Sequence, residues 1–244
     1  FAMLAESNPQ EVMDLAPVAH LAALEGKVPF LNFFDGFRTS HEIQKIETWD
    51  YADLKEMCNM DAVKAFRDHA LNPNNPAMRG SHENGDVFFQ HREACNSVYD
   101  ALPEVVRKYM AKINVKLGTN YDLFNYYGAA DAENVIVAMG SICDVAEEVI
   151  DYLLAKGEKV GLLKVRLYRP FASEKFVAAL PATVKKIAVL DRTKEPGSIG
   201  EPLYLDVVAA LDACGKSGLT VTGGRYGLGS KDTPPSSIFA IFAD

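Results

Sequence analysis

The sequence predicts an α/β fold over residues 131–244, a parallel sheet with helices on both faces, preceded by an incomplete α/β segment and a connecting helix. Four short apolar runs predict buried strands at residues 135–138, 160–167, 187–190 and 219–222. Helices are predicted between them at residues 141–156, 173–180 and 202–214. Continuous apolar strands that alternate with helices indicate right-handed crossovers and a parallel sheet buried on both faces.

Residues that start or stop helices set several bounds in this half. Ser141 is expected to cap the first helix, and Gly157 to end it. Near the end of the chain, Ser236 could cap one further helix. Both ends of the chain are apolar, which we interpret as cuts from a longer polypeptide.

Residues 1–117 have a less regular pattern. Asn8, Pro9 and Glu11 together start a helix that Gly26 ends, and Pro17 predicts a kink there or two short helices. A strand is predicted at residues 28–34, and short helices after a capping Asp or Asn at residues 51–58 and 61–70. Residues 72–86 predict an exposed loop or linker, and residues 97–117 a connecting helix.

The composition limits the classes of partner. A formal net charge of −8 argues against nonspecific binding to nucleic acid or to an anionic membrane, because both need a cationic surface. No apolar run approaches the roughly 20 residues that span a bilayer, and no signal-peptide pattern is present. The four cysteines are widely spaced, which predicts free buried thiols, a reducing compartment and no metal site. A cytoplasmic location is therefore expected.

The loops that follow the predicted strands are the first places to seek a ligand. The Gly140-Ser141 turn could hold an anion, although a plain strand-to-helix turn is favoured. Residues 223–231 superficially suggest a phosphate cradle, but a tight loop with positive φ angles that packs on a neighbouring domain is favoured. The charges at residues 191–195 could serve acid/base chemistry or, as favoured, an ion-pair network between domains or in solvent.

A basic row is also predicted at one strand exit. Lys164, Arg166 and Arg169 alternate along and just past the strand, which would place them on one side of the sheet or at its end. Arg166, Arg169 and Arg225 are candidates for contact with an anion or an acidic partner. A stand-alone module that binds a phosphorylated ligand or an acidic carrier protein is the alternative function that these residues suggest.

The densest cluster of polar groups lies directly after the strand predicted at residues 28–34. Asp35, Arg38, His41 and Glu42 could fix an anionic substrate or transfer protons, because histidine titrates near neutral pH and arginine pairs with carboxylates. A salt bridge between Asp35 and Arg38 that locks the turn is the equally weighted alternative. Asp35, Arg38 and His41 are therefore candidates for a substrate channel or for contact between domains.

Four motifs carry a resemblance to a known family. They occur in order, at residues 33–42 (FFDGFRTSHE), 164–171 (KVRLYRPF), 190–197 (LDRTKEPG) and 224–231 (GRYGLGSK). With them, essentially the whole chain resembles the pyruvate:ferredoxin (flavodoxin) oxidoreductases. The resemblance implies that residues 1–117 are the end of a pyrimidine-binding domain with its linker. It also implies that residues 118–244 are a domain similar to the C-terminal domain of transketolases.

The family resemblance also implies an activity that this chain does not complete. Such enzymes are homodimers of anaerobic metabolism that oxidise pyruvate with coenzyme A to acetyl-CoA and CO2, reducing ferredoxin or flavodoxin. They use thiamine diphosphate, magnesium and 4Fe-4S clusters. The Gly-Asp-Gly segment that holds magnesium and diphosphate is absent, as are Cys-x-x-Cys-x-x-Cys runs. The chain alone is therefore expected to bind no cofactor, to carry no catalytic residue and to be inactive, its partners being the remaining domains.

Overall fold

A small three-stranded sheet organises the N-terminal part of the chain. The computed structural model describes residues 1–77 and 82–243. Strand β1 (Ala2–Ala5) lies at the centre of this sheet and pairs in parallel with β2 (Phe30–Phe33). Its other neighbour, β6 (Leu167–Arg169), is antiparallel and comes from the second half of the chain. The strand predicted at residues 28–34 is thus confirmed in shorter form, while β1 was not predicted.

The second sheet has five strands, which are β3 (Phe124–Gly128), β4 (Asn134–Ala138), β5 (Val160–Val165), β7 (Lys186–Asp191) and β8 (Thr220–Arg225). Across the sheet they lie in the order β3-β5-β4-β7-β8. Pairing is parallel throughout except between β3 and β5. The predicted parallel α/β fold is confirmed, and β3 is an antiparallel edge strand that the prediction missed.

One predicted strand, at residues 160–167, is divided between the two sheets. Strand β5 ends at Val165 and β6 begins at Leu167. At the division, the Arg166 N–H donates to the Leu123 carbonyl over 3.0 Å, and the Arg166 carbonyl accepts from the Ala5 N–H over 2.8 Å. The chain changes sheets at Arg166 because its backbone groups face different neighbours.

Ten α-helices occur in the described ranges. They are α1 (Pro9–Gly26), α2 (Gly36–Ser40), α3 (Tyr51–Met57), α4 (Met60–Asp68), α5 (Phe88–Ala94), α6 (Asn96–Leu117), α7 (Ile142–Leu154), α8 (Ser173–Ala179), α9 (Pro202–Ala213) and α10 (Pro235–Ala243). Helices α2 and α5 were not predicted. Part of the predicted loop at residues 72–86 is irregular, as expected, whereas residues 78–81 lie outside the described ranges.

Helix caps explain most of the bounds in the N-terminal part. The Asn8 side chain accepts from the Glu11 N–H over 3.0 Å, as predicted, and Asp50 and Asn59 cap α3 and α4 in the same way. Helix α1 continues through Pro17 as one element, so a division into two helices is wrong. No helix in the described part of the chain is long and apolar enough to cross a membrane.

Two apolar cores lie on opposite faces of the five-stranded sheet. The larger core joins α1 and α6 to the small sheet and to α8 and α9. The smaller core lies under α7 and α10. Helices therefore cover both faces of the sheet, as predicted. Because the larger core includes residues from both halves, the carboxyl ends of the strands in the two sheets are held close together.

Candidate functional site

A cleft of about 620 Å³ lies where the ends of five strands meet. Its walls come from residues that follow β1, β2, β4, β7 and β8, including Glu6, Asp35, Gly140, Arg192 and Gly227. Apolar groups make up most of the rest, among them Met3, Phe33, Met139, Tyr168 and Leu190. The volume falls in the range of ordinary small-molecule sites, and ligands of parallel α/β folds bind at this end of the strands. We therefore take the cleft as the candidate site.

Asp35 is the main polar link across this cleft. Its Oδ1 accepts from the Ser141 N–H over 2.8 Å, and its Oδ2 accepts from the Ser141 hydroxyl over 2.7 Å. Arg192 donates to the same Oδ2 from Nη1 over 2.6 Å. All three contacts join the end of β2 to loops of the five-stranded sheet, and the side chain of Asp35 is mostly buried.

The contacts of Asp35 correct the predicted role of Ser141. Ser141 occupies the N-cap position of α7, but its side chain caps no N–H of that helix and instead donates to Asp35. The carboxylate of Asp35 thus supplies the negative charge that favours a helix N-terminus. The Gly140-Ser141 turn does bind a negative group, but this group is the Asp35 carboxylate of the same chain rather than a ligand.

Arg38 also reaches the second half of the chain. Its Nε donates to the Ser230 carbonyl over 2.9 Å, and its Nη1 lies 2.6 Å from Oδ1 of Asp232. Asp35 and Arg38, both within the described ranges, form no ion pair with each other, because each pairs elsewhere. The salt bridge proposed to lock the turn is therefore wrong.

His41 does not join this group of contacts. Its Nδ1 lies 2.9 Å from the Phe37 carbonyl and 2.9 Å from the Ser40 hydroxyl, and its exposed ring stacks on Phe37 with centroids 4.0 Å apart. Glu42 is exposed beside it. The structure thus brings Asp35 and Arg38 to the second half of the chain but leaves His41 on its own turn.

The charges after β7 form a network, as the favoured interpretation had it. Asp191 accepts from the N–H groups of Leu203 and Tyr204 over 2.9 and 3.1 Å, which caps α9. Burial raises the pKa of Asp191, although these two hydrogen bonds oppose the rise. Glu201 accepts from the Glu195 N–H and lies 3.7 Å from Lys194.

The three arginines proposed for anion contact all have carboxylate partners. Arg166 is buried and donates to both oxygens of Glu11, over 2.7 and 2.8 Å. Arg169 lies 2.7 Å from Asp206, and Arg225 donates to Glu201. Arg166 is thus no surface group, which corrects the expectation of a basic row open to ligands. Binding of an anion by Arg169 or Arg225 stays a prediction.

The loop after β8 packs on the N-terminal part. Gly227 and Gly229 have φ angles of 61° and 63°, which glycine adopts readily. Arg192 donates to the Gly227 carbonyl over 3.2 Å, and Arg38 donates to the Ser230 carbonyl over 2.9 Å. The positive φ angles of the favoured interpretation are confirmed. Packing of this loop on a separate neighbouring domain stays a prediction.

Comparison with known proteins shows the family to which the chain belongs. The family model described as "Pyruvate flavodoxin/ferredoxin oxidoreductase, thiamine diP-bdg" matches residues 1–111. The model described as "Pyruvate:ferredoxin oxidoreductase core domain II" matches residues 132–238. The chain belongs to the pyruvate:ferredoxin/flavodoxin oxidoreductase family.

Relatives in this family align along nearly the whole chain. The pyruvate-flavodoxin oxidoreductase of Enterobacter agglomerans is 58% identical over 241 residues, 99% of this chain and 20% of that protein. The pyruvate:ferredoxin oxidoreductase of Moorella thermoacetica is 57% identical over 242 residues, 99% of this chain and 21% of that protein. The chain thus spans about a fifth of the length of the curated relatives it matches.

A solved structure shares the fold. The 2-oxoglutarate:ferredoxin oxidoreductase from Magnetococcus marinus, solved with 2-oxoglutarate, coenzyme A and succinyl-CoA bound, gives a TM-score of 0.57 at 17% identity. The match covers 99% of this chain and 41% of that one. At this identity the likeness concerns the arrangement of the sheets and helices alone.

No group of three or more His, Cys, Asp or Glu in the described ranges is placed to hold a metal ion. The cysteines Cys58, Cys95, Cys143 and Cys214 form no disulfide, and only Cys143 is buried, which corrects the expectation that all are. Cys58, Cys95 and Cys214 lie far from one another in sequence and on α3, α5 and α9 or their ends.

Sequence reasoning missed Glu6, which borders the cleft directly after β1. Its side chain is buried, with 0% exposure, and neither carboxylate oxygen has a hydrogen-bond partner of ordinary geometry, although the Asn32 side chain lies close enough to oppose the rise of its pKa. Burial, helped by the charge of Glu11, raises the pKa of Glu6 to about 9, so the group is protonated at neutral pH. The sequence pattern that could have indicated Glu6 is the apolar, strand-like run at residues 2–5, which Glu6 follows directly.

Proposed function

We propose that this chain is a structural and interdomain component of a larger, cytoplasmic, homodimeric oxidoreductase. The whole enzyme would oxidatively decarboxylate pyruvate with coenzyme A, giving acetyl-CoA and CO2 and reducing ferredoxin or flavodoxin. The observation that supports the proposal is the 58% identity, over 99% of this chain, to a pyruvate-flavodoxin oxidoreductase. Thiamine diphosphate, magnesium and 4Fe-4S clusters would be held by parts of the enzyme outside this chain.

The part that this chain plays is to hold two groups of strand ends in a fixed relation. Both carboxylate oxygens of Asp35 accept hydrogen bonds from Ser141 or Arg192. The guanidinium group of Arg38 contacts the Ser230 carbonyl and the Asp232 carboxylate. Groups engaged in this way are suited to positioning rather than to proton transfer. We therefore favour contact between the two halves over a substrate channel as the role of Asp35 and Arg38.

Two assays test the proposal. The 244-residue chain, given pyruvate, coenzyme A and an electron acceptor, is expected to show no turnover, and turnover would refute the structural role. In the longer enzyme, Asp35→Ala is expected to lower turnover more than Arg38→Ala, because Asp35 is the more buried and makes more contacts. His41→Ala is the matched control within the same segment. Unchanged turnover and coenzyme A affinity in the Asp35 and Arg38 variants would count against the proposal.

The alternative, a stand-alone binding module, gains no support from the contacts of its three arginines. Each already holds a carboxylate of the same chain. Isothermal titration of the chain with coenzyme A, a nucleotide and ferredoxin is expected to give no heat of binding. Saturable heat that Arg169→Gln and Arg225→Gln abolish would revive the alternative.

A further inference from the structure

We infer that Glu6 is the polar recognition group of a ligand site in the cleft, and that the ligand group it accepts is an uncharged amide on an otherwise apolar molecule. The inference does not depend on the proposed oxidoreductase activity. Glu6 combines burial, two oxygens without partners and a place in the wall of a cavity. A buried polar group without a partner is costly, so such groups in native proteins usually meet one.

The charges around Glu6 decide which chemistry it accepts. Arg166 lies close enough to influence Glu6, but both of its terminal nitrogens are held by Glu11. Glu6 therefore has no cation of its own and keeps its proton. A protonated carboxyl group has one O–H donor and one carbonyl acceptor. An amide has the matching carbonyl acceptor and N–H donor, so two hydrogen bonds form without any change of charge.

The remainder of the cleft disfavours charged ligands. Among the described residues that line it, Arg192 is the one cation, and Asp35 pairs with it. Asp191 is occupied in capping α9. No cation is left to hold a carboxylate or phosphate, and the apolar walls would penalise an unpaired ammonium group.

The carboxyl group of Glu6 is buried in the structure, so a ligand reaches it only when a neighbouring side chain moves. Solvent does not reach it in the structure, and Met3, two residues before the end of β1, lines the same cavity. A methionine side chain is unbranched and adapts its shape at little cost. We therefore expect Met3 to change its conformation when a ligand amide reaches Glu6.

The experiment compares three small molecules of matched size on the 244-residue chain: butyramide, butyrate and butylammonium. Carbon-13 resonances of the Glu6 carboxyl and the Met3 methyl groups report binding, with Glu6→Gln and Glu6→Met as variants and circular dichroism as the check that each variant folds. Butyramide is expected to shift both resonances. Glu6→Gln, a neutral hydrogen-bonding replacement, should keep its affinity. Glu6→Met should lower the affinity about tenfold, the value of one to two hydrogen bonds.

Three results would overturn the inference. Equal affinity of butyramide for Glu6→Met and for the unmodified chain would show that the carboxyl group plays no part. Tighter binding of butyrate or butylammonium would assign the cleft to a charged ligand. The third result has two parts: butyramide does not shift the Glu6 resonance, and Asn32→Leu changes the pH titration of that resonance. It would show that the Glu6 proton serves a hydrogen bond to Asn32, whose Oδ1 is also buried without a partner.

Discussion

The carboxylate of Asp35 accepts both the backbone N–H and the hydroxyl of Ser141, a residue 106 positions further along the chain. The first turn of α7 therefore depends on a side chain from the other half of the molecule. Replacing Asp35 with Asn keeps the shape but removes the charge that Arg192 and the helix terminus require.

We expect Asp35→Asn to lower the free energy of unfolding by about 1–3 kcal/mol, as for other hydrogen bonds to a charged group. Denaturant unfolding followed by circular dichroism measures it. Asp68→Asn is the matched control, since Asp68 pairs with Lys64 on the exposed surface of α4 and should matter much less. Equal losses in the two variants would contradict a special role for Asp35.

Gly140 and Gly157 form a second matched pair. Their φ angles are 85° and 84°, so alanine is strained at both, by about 1–2 kcal/mol. Only at Gly140 would the added Cβ meet another group, lying 3.0 Å from Cγ and Oδ1 of Asp35. We expect Gly140→Ala to cost at least about 1 kcal/mol more than Gly157→Ala, because it also displaces Asp35. Similar melting temperatures for the two variants would argue that Asp35 moves freely.

The buried pair of Glu11 and Arg166 should be costly to break and cheap to replace. Removing one partner alone, as in Arg166→Met, is expected to destabilise the chain by about 3–5 kcal/mol, because a charge is left buried. The double variant Glu11→Leu with Arg166→Met should recover much of that loss. A double variant that loses the sum of the two single losses would contradict this account.

The same pair has a predicted acid dependence. Burial tends to raise the pKa of Glu11, but hydrogen bonds from Arg166 and its charge outweigh burial and lower the pKa below the ordinary value of 4.5. An acid with a lowered pKa stabilises the fold above its unfolded pKa and loses that contribution as the pH falls through the folded value. Glu11→Gln should therefore flatten the fall in stability below about pH 4.5.

Glu6 should act in the opposite direction. Its pKa is raised from 4.5 to about 9, mainly by burial, so between these values the folded chain holds a proton that the unfolded chain has released. Stability then falls as the pH rises through this window, by at most about 1.4 kcal/mol per pH unit. Glu6→Gln keeps the group neutral and should remove this slope, with an advantage over the unmodified chain that grows toward alkaline pH. Parallel stability curves from pH 5 to pH 9 would contradict a raised pKa.

Periodicity and caps could predict the regular elements because they are local properties. The strands β4 and β7 and the helices α7 and α9 were found within a few residues, since apolar runs and stop signals lie in their own sequence. Strand β3 was missed because its tyrosines are only half-buried at the antiparallel edge, which weakens the apolar pattern. Strand β1 was missed because its apolar residues were interpreted only as the cut end of a longer polypeptide.

The site was less predictable than the fold because its contacts join distant residues. The segment after β2 was found from its density of polar groups, but the partners of Asp35 and Arg38 lie in the other half of the chain. No spacing rule pairs Asp35 with Arg192, or Glu11 with Arg166. The predicted division at residues 117 and 118 stays a prediction, and β6 lies beyond it although it pairs with β1.

Strand β6 has a consequence for how this polypeptide is made. The central strand β1 leaves the ribosome long before its neighbour on one side, which is not complete until Arg169 is synthesised. N-terminal regions generally fold first during synthesis, at about 5–20 residues per second. Here one edge of β1 stays open while more than 160 further residues are added. Until then the nascent chain exposes an unpaired edge that needs protection from neighbouring chains.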